Sequence, residues 1–81
     1  MKGYDEMKLL EKESDLDSEI ARLAMLIIRH SELGKFFGPD VAIFEIVRRY
    51  GLIFDWVNLD YVKKRLEILI HPHIETIQVA A

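Results

Sequence analysis

The sequence predicts a mainly helical, small α+β domain of three to four helices with a short C-terminal strand. Three observations lead there. Glycine and proline at Gly34, Gly38-Pro39, Gly51 and Pro72 divide the chain into pieces of element length. Apolar residues within those pieces recur mostly at three and four. The last piece instead alternates. At 81 residues with net charge −3 and no cysteine, one domain is expected, burying only about 60% of its unfolded surface. Such a thin core makes self-association a natural remedy.

Residues 1–13 are expected to form an acidic N-terminal arm, with room for a short helix over residues 4–13, and residues 14–81 the single helical domain. Residues 1–19 carry three lysines against seven acids, a net of −4. The plain reading is a solvated arm; the functional one is an arm that docks on a basic surface. Ser14, Asp15 and Asp17 then supply cap candidates and first-turn negative charge for the next helix. Its stripe is Leu16, Ile20, Leu23, Ile27 and Ser31, widened by Ala24 and Ile28. Gly34 stops it. Met25 and Leu26 lie off that stripe, Leu26 beside Arg22 and Arg29. A helix apolar on both sides is covered on both sides, so this one is expected to supply both core and homodimer contact, through Ile20, Leu23, Leu26 and Ile27.

Pro39 suits the first position of a second helix, where a missing N–H costs nothing. Ile43, Ile46, Val47 and Tyr50 share its inner face, Glu45, Arg48 and Arg49 lie away from it, and Gly51 ends it. Residues 52–57 are apolar, aromatic and β-branched, which permits a short covered strand. Asn58 or Asp55 caps a third helix with a core stripe of Leu59, Val62, Leu66 and Leu69. Pro72 disfavours helical geometry in the residue before it, so the helix is expected to end at His71. Residues 74–79 alternate, as an edge strand does.

Three helices followed by a strand resemble the element order of helix-turn-helix proteins of the winged-helix kind, without matching signature residues. The connection over residues 51–57 is longer than a tight turn, and the ten residues after His71 are too few for two strands and a wing. Pairing of residues 52–54 with 74–79 would give a truncated, wingless version. On that order, Tyr61, Lys64, Arg65 and Ile68 share the outward face of the third helix. The leading expectation is therefore a small DNA-binding or transcription-associated protein, with these four as the candidate contacts to double-stranded DNA and Arg48 and Arg49 on phosphates. Against this, Asp60–Lys64, Lys63–Glu67 and Glu45–Arg49 stand four apart as ordinary surface pairs, and residues 41–70 hold five bases against four acids. DNA binders usually carry a clearer basic field. The alternative is a non-enzymatic adaptor or assembly subunit whose Leu26, Ile68 and Trp56 meet a protein partner.

His71, His73 and Glu75 would converge on one cation in an extended chain, with His30 as a candidate fourth ligand. The plain reading is a helix terminus favoured by His71 and broken by Pro72, and no metal or other cofactor is assigned. No phosphate loop, catalytic triad motif or isolated carboxylate pair is present, so no enzyme is expected. Leu23 to Ile28 is the longest uncharged apolar run, six residues against about 20 for a membrane span. With no basic and apolar leader at the N-terminus, a cytoplasmic protein is expected. Asn58 and Gln78 are the only side-chain amides, and with abundant charge they hint at a thermophile.

Overall fold

A computed structural model describes the backbone of residues 2–80 and the side chains of residues 6–72. Three helices pack pairwise: α1 (Lys2–Glu32), α2 (Asp40–Gly51) and α3 (Leu59–Ala80). The core draws on all three and on the loop between α2 and α3. Leu16, Ile20, Leu23 and Ala24 come from α1, Ile43, Ile46 and Tyr50 from α2, Phe54 and Val57 from the loop, and Val62 and Leu66 from α3. No helix among the described residues is long and apolar enough to cross a membrane.

The stripe read from Leu16 onward is the one that packs, but α1 does not begin at Ser14. It runs unbroken through residues 4–13 as one 31-residue helix. The four residues Ser14 to Asp17 contain no proline or glycine, so nothing in them obliges the chain to leave helical geometry. Residues 6–15 are exposed throughout. α1 ends as expected at Gly34, whose φ of +70° suits glycine. The Gly34 N–H donates to the Ser31 carbonyl at 3.0 Å and the Lys35 N–H to the His30 carbonyl at 2.8 Å. Those two bonds form the Schellman closure, satisfying carbonyls that the helix leaves over.

Pro39 is the cap of α2 rather than its first residue, and its carbonyl accepts from the Ile43 N–H at 2.9 Å. Of the two candidate caps of α3 it is Asn58, not Asp55, that serves: its Oδ1 accepts from the Tyr61 N–H at 2.8 Å and its carbonyl from the Val62 N–H at 3.1 Å.

Two expectations of strand fail. Residues 52–58 form a looped connection, held to the end of α2 by the Ile53 and Phe54 N–H groups, both donating to the Tyr50 carbonyl. Phe54 and Val57 point into the core while Leu52 is 88% exposed. Their β-branched and aromatic content serves core filling, not pairing. Phe54, Trp56 and Tyr61 then stack in series, with centroids 4.9 and 5.1 Å apart, fastening this loop to α3. The C-terminal strand is absent too: α3 continues through Pro72 to Ala80. Proline there forfeits one backbone bond, at a cost of about 3 kcal/mol, but it leaves the residues after it free to stay helical. The short alternation was the weaker signal, since Ile70, Ile74 and Ile77 recur at four and three and fit a helix equally. Among the described residues there is no strand, so the truncated winged-helix order does not form.

Because Leu16 is fully buried, Leu16→Ala is expected to cost about 2–5 kcal/mol. Gly34→Ala should cost about 1–2 kcal/mol from backbone strain alone, since a Cβ there meets no neighbour. Urea denaturation of both variants checks this.

Candidate interaction surfaces

The polar contact that joins α1 to α2 is centred on Glu19, one residue before the buried Ile20. The Arg49 guanidinium donates to Glu19 Oε1 and forms its ion pair, and the Tyr50 hydroxyl donates to Oε2 at 2.6 Å. Tyr50 is only 6% exposed, so its hydroxyl needs such a partner. Burial alone pushes the Glu19 carboxyl up. Hydrogen bonds from Tyr50 and Arg49, with the positive charge of Arg49 and Arg22, outweigh it and hold the group below its ordinary value of 4.5. Burial, the hydrogen bond to Glu19 and its negative charge push the Tyr50 hydroxyl up to about 12.

Of the six candidate DNA contacts, several are engaged within the chain. Arg49 is held by Glu19. Tyr61 is half-buried with its ring edge-on to Trp56. Arg65 is half-buried, and its Nε is out of contact with solvent and lacks a hydrogen-bond partner among the described residues. Lys64 is exposed and pairs with Asp60 at 3.5 Å; such a surface pair is worth under about 1 kcal/mol. Arg48 and Ile68 are exposed.

The four candidate dimer residues separate as well. Ile20 and Leu23 are buried in the chain's own core, Ile27 is half-buried against it, and Leu26 stays exposed beside Arg22, Met25 and Arg29, also exposed. Leu26 rims a shallow groove between α1 and α2 that Arg22, Ala42, Glu45 and Arg49 also line.

The expected cation site depended on an extended chain. The backbone at residues 71–75 is helical, not extended. The side chains of His73 and Glu75 lie outside the described residues. Among the described residues no group of three metal-ligating side chains gathers. His30 Nδ1 bonds to the Leu26 carbonyl at 2.8 Å, and its ring packs on Phe37.

Sequence reasoning missed a second apolar face on α2. Val41 and Phe44 are 74% and 59% exposed, on the side opposite Ile43 and Ile46, with Leu52 just beyond the helix and Phe36, 93% exposed, in the loop before it. The spacing of Val41 and Phe44 signalled it, for each stands two residues, or about 200°, from a core residue. Compared with known protein families, curated proteins and solved structures, the chain matches none.

The Glu19 clasp fixes a pH profile. The stabilisation from Glu19 is complete above 4.5 and is lost as pH falls through its lowered folded value. Tyr50 holds its proton more tightly folded than unfolded, so stability falls as pH rises from 10.0 towards about 12. Tyr50→Phe should cost about 1 kcal/mol and remove the alkaline loss, which denaturation across pH would show. An unchanged alkaline limb would contradict the clasp.

Proposed function

We propose that this chain is a non-enzymatic adaptor or assembly subunit that binds protein through apolar surface left over from its own core. One observation supports this reading above the others. Phe36, Val41, Phe44 and Leu52 are exposed around α2, a helix that already buries Ile43, Ile46 and Tyr50 on its other side. Val41 and Phe44 stand three residues apart, neighbours on the outer side of the helix, and adjoining exposed apolar side chains are a feature of binding surfaces. Ile68, Trp56 and Leu26 add to the exposed apolar set.

The DNA-binding reading draws on Arg48, Lys64 and Ile68, which remain accessible. It is less favoured, because Arg49 and Tyr61 are engaged within the chain, Arg65 is half-buried, and the net charge of −3 offers no general attraction to phosphate. The composition, poor in amides and rich in charge, is consistent with an adaptor in the cytoplasm of a thermophile.

The two readings part in their response to salt. A labelled random duplex is titrated with protein and followed by fluorescence anisotropy at about 50 and about 200 mM salt, a range over which phosphate-driven affinity drops by orders of magnitude. The adaptor reading expects no binding at either concentration. Binding that fades steeply with salt and disappears in Lys64→Ala/Arg65→Ala would overturn it in favour of DNA.

A further inference from the structure

α1 carries a face that stays exposed along the described residues. Met7, Leu10, Ser14, Ser18, Ala21 and Met25 follow one another at spacings of three, four, four, three and four, and all six are exposed. Their mean step of about 3.6 residues is the helix period, which keeps all six on one seam of α1. It lies off the Leu16, Ile20, Leu23 stripe, so using it disturbs no core contact. Ser14, Ser18 and Ala21 are small and sit at its middle, where two helices can approach closely. Met7, Leu10 and Met25 supply apolar bulk towards its ends.

The charges beside the seam indicate what covers it. Glu11, Asp15, Arg22 and Arg29 run along one flank, acidic in the first half of α1 and basic in the second. All four are exposed. The first half also places like charges four apart at Glu11–Asp15 and Glu13–Asp17, a destabilising pattern on a single helix. A basic partner relieves it. The second half of another α1 is such a partner.

From this we infer that two copies of the chain pair through α1 in antiparallel orientation, with the twofold axis near Ser18. Leu10 of each copy then meets Met25 of the other, and Ser18 meets Ser18. An antiparallel pair brings identical flanks together, so Glu11 and Asp15 of one copy interleave with Arg22 and Arg29 of the other. A parallel pair would instead set the acidic halves side by side. The charge pattern thus selects both the partner and its direction. This pairing rests on the protein-binding reading above and specifies one partner for it.

The absence of native cysteine makes the orientation readable. Leu10→Cys and Met25→Cys chains, one of them isotope-labelled, are mixed in equal amounts and oxidised. The expected product is a disulfide joining one variant to the other, several-fold over like-with-like products. Predominant like-with-like products, or none at all, would overturn the proposal. In parallel, Met25→Glu should reduce the native mass from two chains to one of 9.5 kDa with the helical circular dichroism of the folded chain retained. A dimer that survives Met25→Glu but dissociates with Phe44→Glu would place the contact on α2, overturning the α1 pairing and leaving the adaptor reading intact. The adaptor reading fails separately, by salt-steep duplex binding.

Discussion

The architecture depends on a mismatch of lengths. At 1.5 Å per residue, α1 is about 46 Å long, α3 about 33 Å and α2 about 18 Å. Buried residues of α1 begin only at Leu16, where the other helices start to cover it. Residues 6–15 before that point are exposed throughout, and the molecule is 54 Å in its longest dimension but 21 and 18 Å across. A chain this small commonly gains what its core lacks from a neighbour. The exposed face of α1 and the outer side of α2 arise from the same shortage: two short-range packing partners cannot enclose three helices.

Within the enclosed part, both connections are tied to the helices they join. The Schellman closure at Gly34 turns the chain out of α1 without leaving stray carbonyls. The loop after α2 is pinned by Phe54 and Val57 in the core and by Trp56 against Tyr61. Glu19, shared by Arg49 and Tyr50, sets how α1 and α2 lie against each other. A buried tyrosine hydroxyl with a charged acceptor is a specific contact that apolar packing alone would not supply. The helix pair is thereby held by both apolar burial and one oriented polar clasp.

The α1 core stripe, the Asn58 cap and the Gly34 stop were legible because each rests on local chemistry: period, a side-chain acceptor and a left-handed backbone. The strands were misread where local chemistry was ambiguous. Leu52, Ile53 and Phe54 are apolar, β-branched or aromatic whether they pair or fill a core. Pro72 marks a lost hydrogen bond but leaves open whether the residues beyond it stay helical. Glu19 was counted only as one more acid, since nothing local shows that Tyr50, thirty-one residues later, needs an acceptor. The candidate DNA face was legible as a face; that Arg49 and Tyr61 are occupied elsewhere depends on contacts between elements. The outer side of α2 was written in the spacing of Val41 and Phe44, but the inner stripe of Ile43, Ile46 and Tyr50 already accounts for a helix there and so masks it.

Pairing of two copies through the exposed face of α1 is most directly tested by amide hydrogen exchange over residues 6–15, read at low and high protein concentration. An exposed helix with repeated like charges should exchange rapidly when the chain is alone, and pairing should slow it. The account predicts protection in this segment that rises with concentration while that of the core around Leu16 and Ile20 changes less. Exchange over residues 6–15 that is the same at every concentration, up to where paired chains would dominate, would contradict it.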